Sequence, residues 1–205
     1  MSDRLLPAPL NILVLVSGNG TNLQALIDAE KTGSLGKNAK ITAVLSDRTG
    51  VYALERAQAA GIPSFIEKPD NSIPRDRRRR EHSDRILLFC REKKIGLIVF
   101  AGFLSIMEGD IIKEYEGKMI NLHPALLPKF GGQGMYGGHV HRAVLESGEK
   151  ESGCTVHLVD SGTDTGRILL QRRVPVLPGD TPDSLAERIH KEEHIAIVEA
   201  VRMMC

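Results

Sequence analysis

The sequence predicts an α/β protein built on a doubly wound, mostly parallel sheet with an antiparallel edge. Three observations carry that expectation. Short apolar runs alternate with longer amphipathic segments through the first two-thirds of the chain, as strands joined by crossover helices do. Two of the runs, residues 12–16 and 97–101, are continuously apolar and so read as strands covered on both faces. Near the end, residues 154–159 and 168–174 follow one another with only a polar loop between them, which suits an antiparallel pair. At 205 residues the chain is expected to form one domain, 1–205, with a substantial core.

The elements follow in order. The stretch after Arg4 is broken by Pro7, Pro9 and Asn11 and runs into a Gly-rich turn, so it reads as the approach to a strand rather than as a secretory leader. After the first strand, Ser17-Gly18-Asn19-Gly20 makes a tight turn, and Thr21 or Asn22 is placed to cap a helix over 23–31. A second strand is expected over 40–45, a helix over 52–60 stopped by Gly61, and a short third strand over 63–66. A long helix is expected over 75–94. Its four consecutive arginines, Arg77 to Arg80, sit among Asp76, Glu81 and Asp84 and read as a solvated face of mixed charge. Gly102 ends the strand 97–101, and a helix is expected from there to about Tyr115. The strand 119–123 leads into a long loop with five glycines between Gly131 and Gly138, then a helix over 139–147. Thr181-Pro182 opens the last helix in the usual order of cap then proline.

Composition excludes several functions. Only 4% of residues are aromatic, none is Trp and the net charge is +1, so neither a stacking platform nor a basic field invites nucleic acid. No apolar run approaches transmembrane length. Cys90, Cys154 and Cys205 are scattered and odd in number, which fits no disulfide framework or metal cluster and points to a reducing, cytoplasmic compartment.

The chemistry concentrates around residues 119–128. Asn121 and His123 are two apart on an extended chain, so they point the same way, and Pro124 keeps His123 extended. An amide and an imidazole emerging together can hydrogen-bond a developing oxyanion and move a proton. Alone, the pair reads equally as a turn-capping Asn and a His that satisfies a backbone group. Gly18-Asn19-Gly20 before a helix N-terminus suits one phosphate on a small metabolite, since the third glycine of a dinucleotide fingerprint falls at Leu23 and no Gly-Lys-Ser/Thr follows. Steric need alone also explains such a turn. Asp160 and Asp164 lie in a polar loop, where solvated aspartates need no explanation; the alternative is that either one reaches His123 and favours its charged form. In the last helix Ala186, Ile189, Glu193, Ala196 and Ala200 follow the spacing of a buried stripe, with a carboxylate in its middle. If buried, that carboxylate needs a cation or a network: a ligand amine is one candidate, and an internal Arg or a position that grazes the surface is the alternative. His139 and His141 lack further ligands at metal spacing, His157 reads as a structural hydrogen-bonder and Cys154 as a small core residue.

Together, Ser17 to Leu23, Ala101-Gly102-Phe103, Asn121 to Pro128 and Asp160 to Gly166 strongly resemble the phosphoribosylglycinamide formyltransferases, from about Asn11 to the final helix. The resemblance implies a Rossmann-like formyltransferase fold and transfer of a formyl group from 10-formyltetrahydrofolate, as co-substrate, to glycinamide ribonucleotide. It implies Asn121, His123 and Asp164 as the catalytic trio, with Asp164 chosen over Asp160 by its place before the next strand. Gly18, Asn19, Gly20, Thr21 and Asn22 would hold the substrate at its phosphate and Glu193 would meet the glycinamide end. The folate would lie along Phe103, Leu104, the strand through Asn121, and the loop from Asp160 to Asp164. In that reading a protonated His123 and Asn121 stabilise the oxyanion, Asp164 orients the imidazole, and no metal is required. Partners are expected to be small molecules only, with no nucleic acid and no membrane, on a monomer or homodimer. Loop 129–138 is longer than in the shorter members of the family. A tRNA formyltransferase would need a further C-terminal domain and a formyltetrahydrofolate hydrolase an N-terminal one, and this sequence is expected to lack both. A sugar-nucleotide formyltransferase is the harder alternative to exclude, though the turn favours a monophosphate, and a non-catalytic receptor is disfavoured by the trio.

Overall fold

The computed structural model describes residues 9–205, so the stretch around Arg4 and Pro7 lies outside the described residues. Seven strands form one sheet in the order β3-β2-β1-β4-β5-β6-β7. They are β1 (Leu10–Val16), β2 (Ala39–Ser46), β3 (Ser64–Ile66), β4 (Leu97–Phe100), β5 (Met119–His123), β6 (Glu151–Leu158) and β7 (Ile168–Pro175). The first five run parallel, and β6 and β7 are antiparallel. The helices are α1 (Thr21–Lys31), α2 (Tyr52–Ala59), α3 (Arg75–Glu92), α4 (Asp110–Glu114), α5 (Gly138–Glu146) and α6 (Pro182–Met204).

Side chains alternate across a strand, and β1 uses both of its faces for the core. Ile12, Val14 and Val16 join a cluster with α1 and α6, whereas Leu13 and Leu15 join a second cluster with Ile86 and Leu87 of α3. This two-sided burial is why the strand is continuously apolar.

Several boundaries differ from the sequence expectation. No side chain caps α1: Gly20 is its N-cap in a left-handed conformation, φ 74°, and Asn22 turns to another partner. The helix expected after Gly102 is reduced to the five residues of α4. Across residues 102–109 the backbone donors go to side chains from elsewhere, Leu104 N to Ser17 Oγ at 2.9 Å and Glu108 N to Ser83 Oγ at 2.9 Å. Those bonds replace the i→i−4 ladder, and positive φ at Gly102 and Gly109 breaks the helical path at both ends. α3 stops two residues early because Lys94 turns left-handed, φ 51°. β6 begins at Glu151, three residues before the apolar run suggested. The buried stripe of α6 contains Leu185 where Ala186 was expected, because one helical turn offers either neighbour to the core. Thr181 does cap α6, in a reciprocal box with Ser184. The arginines of α3 pair with Glu108, Asp84 and Asp110 at 3.5–3.9 Å, the mixed-charge face expected.

Candidate active site

β5 is bracketed by parallel β4 and antiparallel β6, and both Asn121 and His123 line a cavity of about 560 Å³. His123 Nδ1 stands 3.5 Å from Asp164 Oδ2. Its Nε2 meets the Phe130 carbonyl at 2.8 Å, so this nitrogen carries the hydrogen and donates it. Of the two aspartates left open by the sequence, Asp164 is the one that reaches the imidazole. Asp160 is spent on its own loop, accepting from Gly162 N at 3.0 Å and Thr165 Oγ1 at 2.7 Å, while still lining the cavity.

Asp164 sits in a left-handed conformation, φ 58°, which the short acidic side chain tolerates better than most. Gly132 N donates to its Oδ2 at 3.0 Å. Asn121 Nδ2 approaches its Oδ1 at 3.4 Å. His157, read from sequence as structural, belongs to the same cluster. Its Nε2 lies 3.1 Å from Asn121 Nδ2 and 3.5 Å from Asp164 Oδ1. The signal for it is cross-strand register, Asn121 opposite His157, which a sequence pattern does not display.

Burial is the largest influence on His123 and holds its pKa below 6.5. Asp164 and the Phe130 carbonyl pull the other way without prevailing, so the expectation that an aspartate keeps His123 charged is corrected. Burial also works against the Asp164 carboxylate, but His157, His123 and the Gly132 amide together hold its pKa below the ordinary value. An imidazole pushed toward its neutral form thus faces a carboxylate pushed toward its charged one.

Glu193 is 5% exposed and lines the same cavity. Among the described residues no Arg pairs with it. Its Oε2 accepts from Asn22 Nδ2 at 3.2 Å and lies 3.9 Å from His190 Nε2. Burial raises its pKa, against the pull of His190 and Asn22. Asn22 leaves its own Oδ1 unpaired. Within the preceding turn, a Cβ on Gly20 would stand 2.6 Å from the Ala53 Cβ, so only glycine fits. Ala53 N donates to the Gly18 carbonyl at 3.2 Å, and Arg56 Nε donates to the Asn19 carbonyl at 2.9 Å. Arg56, not singled out by the sequence, thus places a guanidinium at the turn. Thr21 opens α1, and of these turn residues Asn22 is the one on the cavity wall.

Phe103 and Leu104 line the cavity, beside Phe100, Ile106 and Met107. They form an apolar stretch of wall suited to a flat aromatic ligand. Loop residues 132–137 supply the wall facing solvent. His141, 3% exposed, also lines it, and burial pushes its pKa down to about 4. Among the described residues no group of His, Cys, Asp and Glu is arranged to hold a metal, and no helix is long and apolar enough to cross a membrane.

The formyl transferase family matches residues 10–201. The phosphoribosylglycinamide formyltransferase of Escherichia coli (strain K12) is 38% identical over 185 residues, covering 90% of this chain and 82% of that protein. The trifunctional purine biosynthetic protein adenosine-3 of Drosophila melanogaster is 43% identical over 193 residues, covering 94% of this chain. The chain spans only 14% of that longer relative. The crystal structure of glycinamide ribonucleotide transformylase 1 from Symbiobacterium toebii superposes with a TM-score of 0.88 at 35% identity, covering 100% of this chain and 91% of that one. On both sequence and fold, the chain belongs to the formyl transferase family, in its phosphoribosylglycinamide formyltransferase branch.

Proposed function

We propose that the chain transfers the formyl group of 10-formyltetrahydrofolate to the primary amine of glycinamide ribonucleotide, a step of de novo purine biosynthesis carried out in the cytoplasm on small molecules alone. The observation that supports this most directly is the meeting of Asn121, His123 and Asp164 on one cavity wall, within a chain of this family. The folate lies along Phe103, Leu104, β5 and the loop from Asp160 to Asp164. The ribonucleotide phosphate takes the amides of the Gly18–Thr21 turn at the N-terminus of α1. Asn22 and Glu193 meet the part of the substrate leading to the glycinamide.

The amine nitrogen attacks the formyl carbon, and the carbonyl electron pair moves onto oxygen. Asn121 stabilises that oxyanion. His123 starts neutral with its hydrogen on Nε2, so Nδ1 is free to take the proton released by the amine. The resulting imidazolium faces Asp164, whose carboxylate steadies the new charge. Collapse of the tetrahedral intermediate breaks the bond from carbon to the folate nitrogen, which receives a proton through the same groups. Both charge changes are handled by side chains in place.

Formyl transfer with purified protein and both substrates tests this, with a no-acceptor control and His123→Ala alongside. The variant should lose about 10²- to 10⁴-fold in kcat with KM changed by less than about threefold. Release of folate without acceptor would instead indicate hydrolysis, and an unchanged rate in the variant would remove His123 from the chemistry.

A further inference from the structure

Asn121 carries the oxyanion role in the reading above, yet its amide nitrogen is turned toward other partners. Nδ2 lies 3.1 Å from His157 Nε2 and 3.4 Å from Asp164 Oδ1, so acceptors inside the protein stand ready for both of its hydrogens. The oxygen and nitrogen of an amide occupy nearly the same space, and the partner decides which end points where. Here the partner is titratable. His157 Nδ1 meets the Leu158 carbonyl at 2.8 Å, and because that group only accepts, Nδ1 keeps a hydrogen in either charge state. Nε2 is therefore the nitrogen that gains or loses the proton. Neutral, it accepts a hydrogen from Asn121. Charged, it donates and demands an oxygen.

We propose that His157 is a positioning residue that sets which end of the Asn121 amide faces the substrate: as an imidazolium it donates Nε2–H to Asn121 Oδ1 and frees the Nδ2 hydrogens for the oxygen of the transferring formyl group. The inference rests on the formyl-transfer reading above.

Asp164 ties the swap to the proton. Turning the amide brings Asn121 Oδ1 toward the carboxylate at the 3.4 Å position now held by nitrogen, where two oxygens repel. An imidazolium standing 3.1 Å from the amide and 3.5 Å from Asp164 Oδ1 offsets that repulsion, and a neutral ring does not. The charged and titratable groups facing His157 are Asp164 from the β6–β7 loop and His123 from β5. A charge on His157 disfavours a second one on His123. In the arrangement proposed, the charge sits on His157 and His123 is left neutral, poised to accept the amine proton. kcat then falls on the alkaline side as His157 deprotonates and on the acid side as His123 protonates.

Two measurements test this. In the protein alone, NMR signals of the Asn121 side-chain amide should follow the His157 titration and stay flat in His157→Gln. Gln places an untitratable amide near the Nε2 position, able to donate or accept. In turnover, the alkaline limb of kcat should vanish in His157→Gln while kcat at pH 7 stays within about tenfold. His157→Phe should lower kcat by about 100-fold, with KM changed by less than about threefold. An Asn121 signal that ignores the His157 titration, or an alkaline limb that persists in the Gln variant, would overturn the proposal. Wild-type protein whose Asn121 follows His157 but which transfers no formyl group would remove the functional reading and leave the swap standing.

Discussion

Glu193 illustrates what a single residue trades. Its carboxylate is 5% exposed and meets Asn22 and His190, and burial costs the charged form and raises its pKa. Glu193→Gln keeps the shape and the bond to Asn22 while removing the charge. The variant should unfold at a higher temperature at pH 7, while KM for the ribonucleotide rises about tenfold. Calorimetry and steady-state kinetics on the same preparation check both, and a variant less stable than wild type would contradict the account. This residue was legible in the sequence because it interrupts an apolar stripe. Asn121 and His123 were legible because their spacing of two fixes a common direction. His157 was not, since its partner Asn121 is 36 residues away and meets it only through strand register.

At the scale of an element, the turn into α1 is the most constrained. Gly20 combines a left-handed backbone with an approach to α2 that leaves no room for a methyl group. Gly20→Ala should cost about 2–4 kcal/mol of stability and raise KM for the ribonucleotide more than it lowers kcat. Thermal unfolding and kinetics measure the two, and an unshifted Tm would contradict the account. The sequence announced this turn through its two glycines and the helix pattern behind it, but assigned the cap to a side chain. A similar error at residues 102–109 has a clear source. Phe103 and Met107 are four apart and both buried, which imitates a helical face, while Ser17 and Ser83 capture the backbone donors from distant parts of the chain. The strand expected over 97–101 was read to within one residue, because burial on both faces is written in the apolar run itself.

Across the whole molecule, four histidines, His82, His123, His141 and His194, have pKa values lowered chiefly by burial. The unfolded chain binds protons at these sites before the folded one does, so stability is complete above about pH 6.5 and is lost as pH falls toward 4. His141, pushed from 6.5 to about 4, contributes a loss of about 2 kcal/mol between pH 7 and pH 5. Glu193 works in the opposite sense, and Asp164 adds to the loss only below its own ordinary value of 3.8. Tm should fall by at least about 5 °C over that interval, and His141→Gln should flatten the slope. A Tm independent of pH there would show that these rings titrate normally. At this scale the sheet order was legible in outline, because alternation of strand and helix implies parallel neighbours, whereas the placing of β6 beside β5 was not. The long Gly-rich loop shows a further property of the design. It touches His123 and Asp164 through a carbonyl and an amide of its main chain, not through any side chain. Its support of the site therefore depends on the loop's path, which the positive φ of Gly132, Gly134 and Gly137 shapes. A change at Gln133 or Met135 would alter the cavity wall, whereas a change in the path of the loop would withdraw the carbonyl and the amide on which His123 and Asp164 rest.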